Sequence, residues 1–447
     1  MTQIERIELP YTNTSERFTL SKNDITNAFQ RQYFHVYASR LDILKPRILE
    51  AAKAEGLDTY YKQLEGLKLK EKAFVIGTIQ KKISLRPSIL KELAEDEKML
   101  PEDADGEEEG TPSLITNKDY LEFEDEKQIV TLGGNISMDE VATGCTVGLY
   151  GSQVKDSLFE VEKIIFPSIP QQKTVSSGPK GRVALISGLE LCGSAEKDRD
   201  TCLSLMMFAR WLNNEITGDK TDAQLVSSIE RVLVVGDSLA AAQAKEFSSA
   251  VAYLRLSRQD CSANINGISS LDNLLAKFTS KLSIDLLPGQ TDPTTQLWPQ
   301  QPIHKACLPL SSASGAALGL VTNPYSFKLG DDEFLVTSGL NLTDLRRLST
   351  VQKSSDLMKY ILRWQHLAPT APDTVDAFPF EKRDPFIMDG IPHVMICGNQ
   401  PEFSSEMFEC KSGKTLCISL PRFSRTHMVS ILDLNSMEVT NHYFGPN

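Results

Sequence analysis

Short apolar runs that end on glycine or a polar residue limit most strongly how this chain can fold. From residue 182 onward there are four of them: Arg182–Gly188, Arg231–Asp237, Glu333–Gly339 and His393–Asn399. Each run has the length of a buried strand, and a helical pattern separates the first two. Strands that alternate with helices predict an α/β domain, which we assign to residues 182–447.

Two segments inside this domain have helical character. Leu205, Phe208 and Leu212 recur at helical spacing between the first two strands, and an alanine-rich stretch, residues 238–254, follows the second strand. Parallel strands place their carboxyl ends at one edge of a sheet, and α/β folds carry functional residues in the loops at that edge. We therefore expect any site in the loops after the four strands.

Residues 71–170 have a different pattern, in which glycines separate short β-type runs. The runs are Ala73–Ile79, Tyr120–Phe123, Gln128–Leu132, Thr146–Tyr150 and Phe159–Phe166. Short strands with glycine at the turns predict a small β-barrel, with an OB-fold as one candidate. Such barrels bind single-stranded nucleic acid through exposed aromatic and basic residues, and this region has few of either.

Residues 1–70 are predicted to form a helical segment. Apolar residues recur there every three or four positions, at Phe34, Tyr37, Leu41, Leu44 and Ile48. Pro46 is expected to kink this helix or to start a new one, because proline has no backbone donor. A second helical stretch is expected through Tyr60, Leu64 and Leu67. The polar residues 171–181, rich in serine and glycine, are expected to form a linker.

The negative charge of the chain is concentrated in one segment. The 447 residues carry a net charge of −12, and the segment Glu95–Gly110 contains nine acids and one lysine. We expect this acidic run to be a solvated loop of the barrel, and we assign it no function. Because no basic stripe is present, the chain is a poor candidate for tight, independent binding of nucleic acid. No apolar run is long enough to span a membrane, and no signal peptide is apparent.

The types and spacing of the reactive residues give little support to catalysis. The six histidines are scattered, and the eight cysteines include no Cys-x-x-Cys pair, so the spacing of a zinc site is absent. There is also no P-loop and no Gly-x-Ser-x-Gly elbow. We therefore expect no metal and no cofactor.

The loops after the strands nevertheless resemble those of the calcineurin-like metallophosphoesterases. In that family the loops read Asp-x-His, Gly-Asp-x-x-Asp, Gly-Asn-His-Asp and Gly-His-x-His, and with a further histidine they hold two divalent metals. In this chain Gly188 and Glu190 occupy the Asp and His positions of the first loop. The second loop keeps Asp237 but has Ala240 in place of its second aspartate.

The other two loops have also lost the ligands of that family. Gln290 and Thr291 occupy the Asn and His positions before Asp292, and Asn399 and Pro401 replace the two histidines of the fourth loop. Two neighbouring metals need several carboxylate and imidazole ligands. The resemblance therefore implies a phosphoesterase domain without its metal ligands.

The retained aspartates have an ordinary structural interpretation. We expect Asp237 and Asp292 to cap turns or helix N-termini, a role that aspartate fills well. Together with Glu190 they could hold Mg²⁺ only weakly and through water, so residual metal binding is left open.

A β-barrel followed by a ligand-poor phosphoesterase domain resembles the small accessory (B-type) subunits of the replicative DNA polymerases. The segments most similar to the small subunits of polymerase delta are residues 142–151, 286–302, 320–324, 337–345, 367–374, 384–387 and 392–403. The resemblance implies an α+β multidomain protein with an N-terminal helical segment, an OB-fold barrel and an inactivated calcineurin-like α/β domain. It also implies the nucleus as the location.

In function, the resemblance implies a non-catalytic accessory subunit for DNA replication and repair synthesis. Such a protein bridges the C-terminal metal-binding domain of the polymerase delta catalytic subunit and the third accessory subunit, and it meets DNA only indirectly. Two alternatives stay open: a metal-dependent phosphoesterase or nuclease with an atypical carboxylate site, and the equivalent B-type subunit of polymerase alpha or epsilon. The lost histidines disfavour the first, and the short extension before the barrel disfavours the second.

Overall fold

The computed structural model describes residues 9–27, 30–85, 113–155, 157–174, 180–216, 220–241, 258–278, 282–313 and 318–445. Residue contacts group the chain into two compact units. The sandwich unit comprises Met1–Ile25, Gln172–Leu340 and Pro392–Asn447, and the barrel unit comprises Thr26–Gln171 and Asn341–Ile391. The predicted acidic loop, the middle of the predicted linker and most of the predicted helix over 238–254 lie outside the described residues.

The strands fall into one barrel and two sheets. In chain order they are β1 (Tyr11–Asn13), β2 (Lys72–Lys82), β3 (Tyr120–Glu124), β4 (Ile129–Gly134), β5 (Thr146–Lys155), β6 (Leu158–Ile165), β7 (Arg182–Ser187), β8 (Ile229–Val235), β9 (Ser283–Leu287), β10 (Leu318–Leu320), β11 (Tyr325–Leu329), β12 (Asp332–Thr337), β13 (Val394–Gln400), β14 (Ser404–Cys410), β15 (Gly413–Pro421), β16 (Met428–Asp433) and β17 (Glu438–Tyr443).

The helices are distributed over both units. They are α1 (Lys22–Asn27), α2 (Phe34–Ala54), α3 (Arg199–Leu212), α4 (Lys220–Ser228), α5 (Arg258–Phe278), α6 (Pro309–Ala313), α7 (Leu340–Arg347), α8 (Ser354–Trp364) and α9 (Phe423–Thr426). Among the described residues, no helix combines the length and the apolar character that crossing a bilayer requires.

The five predicted barrel strands are all present in the barrel unit. They close in the order β2-β3-β4-β6-β5, with β4 and β6 parallel and the other pairs antiparallel. Helix α2 packs on the barrel through Leu44 and Ile48, which share a core with Phe74 of β2. Gly148 of β5 permits this close approach, because a Cβ there would lie 2.4 Å from the Phe74 ring and 2.8 Å from Ile48.

The predicted helix before the barrel is present, but its buried face differs from the predicted one. The buried residues are spaced by four and include a charged one: Val36, Arg40, Leu44, Ile48 and Ala52. Phe34 is 69% exposed. The predicted apolar stripe is therefore wrong at its start, because a search for apolar periodicity passes over a buried arginine.

Two further expectations for this segment need correction. Helix α2 continues through Pro46, so no new helix begins there. The proline side chain lies on the exposed side of the helix. The predicted second helical stretch is replaced by two short 3₁₀ turns, Asp58–Tyr60 and Leu64–Gly66.

The sandwich unit consists of two six-stranded sheets with a shared core. Their strand orders are β1-β11-β12-β13-β15-β14 and β10-β9-β8-β7-β16-β17. Side chains alternate between the two faces of a strand. In β7, Val183 and Leu185 face the other sheet, which contributes Phe334 and Ile396 to the same core. Ala184 and its neighbours on the opposite face pack against α3 and α5.

The contacts divide the chain differently from the predicted domain boundaries. Residues 341–391, assigned from sequence to the phosphoesterase domain, group with the barrel. One reason is Arg40 of α2, whose guanidinium donates to the Pro369 and Ala371 carbonyls and to the Asp384 carboxylate. The N-terminal residues group with the sandwich unit, because β1 pairs antiparallel with β11 as an added edge strand.

Candidate functional site at the carboxyl ends of the strands

The loops predicted to carry a site lie together in the sandwich unit. Strands β7, β8 and β9 are parallel neighbours, and so are β12, β13 and β15, so the carboxyl ends of each trio lie at one edge. The Gly188 N–H donates to the Gly236 carbonyl (3.1 Å), and the Gly236 N–H donates to Leu287 (2.9 Å). The two sheets meet where the Asn399 N–H donates to Ser187 Oγ, 2.8 Å away. We call this region the strand-end site.

Gly188, at the Asp position of the first loop, is held in a conformation and a space that suit only glycine. Its φ is +62°, in the left-handed region that side chains disfavour. A Cβ at this position would lie 2.5 Å from Asn399 Oδ1 and 2.7 Å from Arg422 Cγ. An aspartate therefore does not fit at this position as the loops are arranged.

Glu190, at the histidine position of the same loop, is engaged on both oxygens. Arg422 Nη1 donates to Oε1 at 2.5 Å, and Ser424 Oγ donates to Oε2 at 2.5 Å. Both partners belong to the segment that follows β15. This carboxylate therefore links the loop after β7 to the segment after β15, a strand of the other sheet.

Asp237, the aspartate that the second loop retains, is 8% exposed. Burial raises the pKa of this carboxyl, and the Arg422 guanidinium and the backbone N–H groups of Thr291 and Gln290 partly offset that rise. Arg422 Nη2 lies 3.8 Å from Asp237 Oδ2. Thr291 Oγ1 lies 3.3 Å from Oδ1. One arginine therefore faces the carboxylates of both Glu190 and Asp237.

Asp292 is the most buried of the three carboxylates, at 2% exposure. Its oxygens accept backbone N–H groups from Gly289 (2.8 Å), Ser238 (3.2 Å) and Leu239 (3.0 Å). Burial raises the pKa of this carboxyl to about 6, although the three N–H donors favour its charged form. The side chain fastens the loop after β8 to the loop after β9.

Amide side chains occupy the centre of the strand-end site. Asn399 Nδ2 donates to the Ser338 carbonyl at 3.0 Å. Asn323 Nδ2 donates to Ser338 Oγ and to Gln300 Oε1, both at 2.7 Å. The Ser338 N–H in turn donates to Asn323 Oδ1 at 3.1 Å. These hydrogen bonds join the loops after β9, β10 and β12 to the end of β13.

The remaining predicted positions place no side chain in this network. The Ala240 N–H donates to the Leu191 carbonyl at 3.1 Å, and its methyl group offers no ligand atom. The side chains of Gln290 and Pro401 are exposed. The structure thus brings Gly188, Glu190, Asp237, Thr291, Asp292 and Asn399 together and leaves the other three at the margin.

Two families of known proteins match separate parts of the chain. Residues 183–405 match the family of B subunits of DNA polymerases alpha and epsilon. Residues 32–164 match the DNA polymerase delta subunit OB-fold domain. The second match covers the observed barrel, so the predicted OB-fold is confirmed.

Curated relatives match over nearly the whole length. The probable DNA polymerase delta small subunit of Caenorhabditis elegans is 38% identical over 96% of this chain and 96% of its own. The DNA polymerase delta subunit 2 of Drosophila melanogaster is 33% identical over 97% of each chain. This chain belongs to the family of DNA polymerase delta small subunits. The predicted accessory role in DNA polymerase delta is thereby confirmed.

More distant comparisons add less. The DNA polymerase delta small subunit of Oryza sativa subsp. japonica is 29% identical over 99% of each chain. A solved structure described as a novel archaeal phosphodiesterase covers 58% of this chain at 14% identity, with a TM-score of 0.30. A likeness that low does not define the fold, which rests on the barrel and the two sheets.

The residues at the strand-end site do not fit a two-metal centre. Within the described part of the chain, no group of three or more His, Cys, Asp and Glu side chains is arranged to hold a metal ion. His393 is engaged elsewhere, because its Nδ1 accepts the Glu333 N–H at 2.9 Å. Glu190 and Asp292 already have partners on both oxygens. Neither the ligand number nor the ligand type matches what two metals require.

Sequence reasoning missed the most important cation of the site. Arg422 follows β15, which was not among the four predicted strands. The sequence of β15 nevertheless has the same pattern as those strands, because its apolar run (LCISL) is followed by Pro421 and then by a polar residue. Ser187 was predicted only as part of its strand, and Ser424 was not predicted to take part. The signal for Arg422 is therefore the same as for the other loops: a polar residue directly after an apolar run.

Proposed function

We propose that this chain is a non-catalytic scaffold within DNA polymerase delta. It bridges the C-terminal metal-binding domain of the catalytic subunit and the third accessory subunit, acts in the nucleus in replication and repair synthesis, and meets DNA only through its partners. One observation supports the lack of catalysis most directly. The carboxylates at the strand-end site are held by an arginine, hydroxyl groups and backbone N–H groups of the same unit.

Hydrolysis of a phosphodiester at such a site needs two things. A Lewis acid must stabilise the charge on the phosphoryl oxygens, and an activated water must attack in line. Asp292 cannot act as a solvent-facing base, because it is buried and accepts three backbone N–H groups. Glu190 is paired with Arg422 and Ser424. These contacts favour a structural role for both carboxylates.

The surfaces of both units support a role in assembly. Large apolar side chains are exposed in the barrel unit at Tyr33, Phe34, Ile43, Tyr60, Tyr120 and Ile129. In the sandwich unit they are exposed at Leu203, Met207, Leu310 and Tyr443. Contiguous apolar surface marks sites where partner chains bind, so these side chains are the first to test for contacts with the other subunits.

Co-expression tests the scaffold role. The tagged full chain is expressed with the polymerase delta catalytic subunit and the third subunit, then captured and passed through gel filtration. We expect a stoichiometric complex of the three chains, and we expect the catalytic and third subunits not to co-elute when this chain is omitted. Elution of this chain alone, under conditions that keep all three soluble, would contradict the proposal.

A hydrolysis assay tests the absence of phosphoesterase activity. The purified complex is incubated with a chromogenic phosphodiester and Mn²⁺, and Asp237→Ala serves as the matched variant. We expect the same background rate for both proteins. Hydrolysis that Mn²⁺ stimulates and Asp237→Ala abolishes would favour the alternative, a phosphoesterase with an atypical carboxylate site.

A further inference from the structure

Arg422 is the cation of the strand-end site. Its guanidinium lies 2.5 Å from Glu190 Oε1 and 3.8 Å from Asp237 Oδ2, so one fixed positive charge faces two carboxylates. The Asp237 side chain is 11% exposed and that of Glu190 is 25% exposed. One guanidinium therefore offsets negative charge on two partly buried side chains.

The space that Arg422 occupies also explains the glycine in the first loop. A Cβ on Gly188 would meet Arg422 Cγ at 2.7 Å and Arg422 Cβ at 3.0 Å. An aspartate at position 188 and an arginine at position 422 therefore exclude each other in this arrangement.

We propose that the Arg422 guanidinium supplies the positive charge that Glu190 and Asp237 would otherwise take from a bound cation at the strand-end site. The inference rests on the proposed non-catalytic function and deepens it by naming the group that makes a metal unnecessary there. A guanidinium carries its charge permanently and presents its donors in a rigid planar fork. The two sheets are therefore held together at this edge without any ion having to be loaded.

Removal of the Arg422 guanidinium has a consequence for metal binding that can be measured. When the guanidinium is removed, Glu190 Oε1 and Asp237 Oδ2 both lose their cationic neighbour. Hard divalent cations prefer such oxygen ligands. The protein that lacks Arg422 is therefore expected to bind Mn²⁺ at this edge more strongly than the wild-type protein.

Thermal unfolding of the purified full chain, without its partner subunits, tests this consequence. Arg422→Met is compared with wild type and with Arg425→Met, which changes an exposed arginine of α9, the short helix that begins directly after Arg422. Without added metal, Arg422→Met should lower Tm by roughly 2–6 °C. Addition of MnCl₂ should restore part of that loss in Arg422→Met and change neither wild type nor Arg425→Met. Equal responses of all three proteins to Mn²⁺ would overturn the proposal.

A double-mutant cycle gives a second readout that does not depend on metal. Glu190→Gln removes one of the two charges that Arg422 offsets. We expect Arg422→Met combined with Glu190→Gln to be more stable than the sum of the single losses predicts. Strict additivity would overturn the proposal. Arg422→Lys, which keeps the charge, should stay close to wild type and provides a folded comparison if Arg422→Met is poorly soluble.

These outcomes are separable from the proposed function. If the three subunits do not co-elute, the scaffold role fails while the cycle between Arg422 and Glu190 can still show coupling. If the subunits assemble but the double-mutant cycle is additive, only the proposed role of Arg422 fails.

Discussion

The two units of this protein each place an arginine beside a carboxylate, and the two arginines serve different purposes. In the barrel unit, Arg40 and Asp384 have side chains that are 1% and 0% exposed. Arg40 Nε donates to Asp384 at 2.8 Å, and its other nitrogens donate to the carbonyls of Gly144, Pro369 and Ala371. In the sandwich unit, Arg422 is 34% exposed and faces two carboxylates at the ends of strands.

The difference shows how burial decides what an ion pair does. Removing one partner of a buried pair leaves a charge that neither water nor protein compensates. At a position open to solvent, water replaces part of the lost interaction, so the same change costs less. Arg40 therefore organises a core, whereas Arg422 neutralises charge at an edge that water reaches.

The largest expected effect is that of Arg40→Met. This substitution leaves Asp384 buried without its cation and three carbonyls without a donor, so we expect a loss of about 3–5 kcal/mol in the free energy of unfolding. Chemical denaturation of the full chain measures that loss. Lys53→Met, at an exposed position of the same helix, is the control and should change stability by about 0.5 kcal/mol or less. A loss from Arg40→Met no greater than that from Arg422→Met would contradict the comparison.

The second prediction concerns pH, to which the two units respond in opposite directions. His366 Nε2 lies 2.8 Å from Asp384 Oδ2, and its Nδ1 accepts the Ala368 N–H at 3.3 Å. Burial and the nearby Arg40 lower the pKa of His366 to about 4. The unfolded chain therefore binds more protons between pH ~6.5 and pH ~4, and stability falls by on the order of 3 kcal/mol as pH drops through that range.

Asp292 makes the stability of the protein depend on pH in the opposite direction. Burial raises its pKa to about 6, so the folded chain binds more protons than the unfolded chain between pH ~4 and pH ~6. Its contribution to stability is lost as pH rises through that range, again by on the order of 3 kcal/mol. Urea unfolding at several pH values separates the two groups. His366→Gln should remove the loss at low pH, Asp292→Asn should remove the loss at higher pH, and unchanged pH profiles in both variants would refute the assignment.

Part of the fold could be predicted because several of its central strands carry local signals, whereas the central strands β9, β11, β15 and β16 were not predicted. The barrel strands and β7, β8, β12 and β13 are apolar runs bounded by glycine or polar residues, and the structure has a strand at each. The polar edge strands β14 (SSEMFEC) and β17 (EVTNHY) were missed, because an edge strand with one solvated face needs few apolar residues. The grouping of residues 341–391 with the barrel depends on long-range contacts such as Arg40 to Asp384, which no local pattern reveals.

The candidate site could be predicted in part for the same reason. Glu190 and Asp237 follow predicted strands, whereas Asp292 follows β9, which was not predicted. What each carboxylate binds could not be predicted, because the partner comes from another strand end more than fifty residues away in sequence. Arg422 lies 232 residues from Glu190, and only the folded sheets bring them together.

The smallest expected effect is that of Thr291→Val at the strand-end site. Thr291 Oγ1 donates to the Leu239 carbonyl at 2.6 Å, and valine has nearly the same shape without the hydroxyl. We expect a loss of about 1 kcal/mol in the free energy of unfolding, the usual net worth of one hydrogen bond. Thr291→Ser, which keeps the hydroxyl, is the matched control in the same denaturation experiment. A loss near that of Arg40→Met would mean that the strand-end site organises its unit as strongly as the buried arginine organises the barrel. A loss of about 1 kcal/mol that spares assembly with the catalytic subunit would place the site among the ordinary loop contacts of a scaffold.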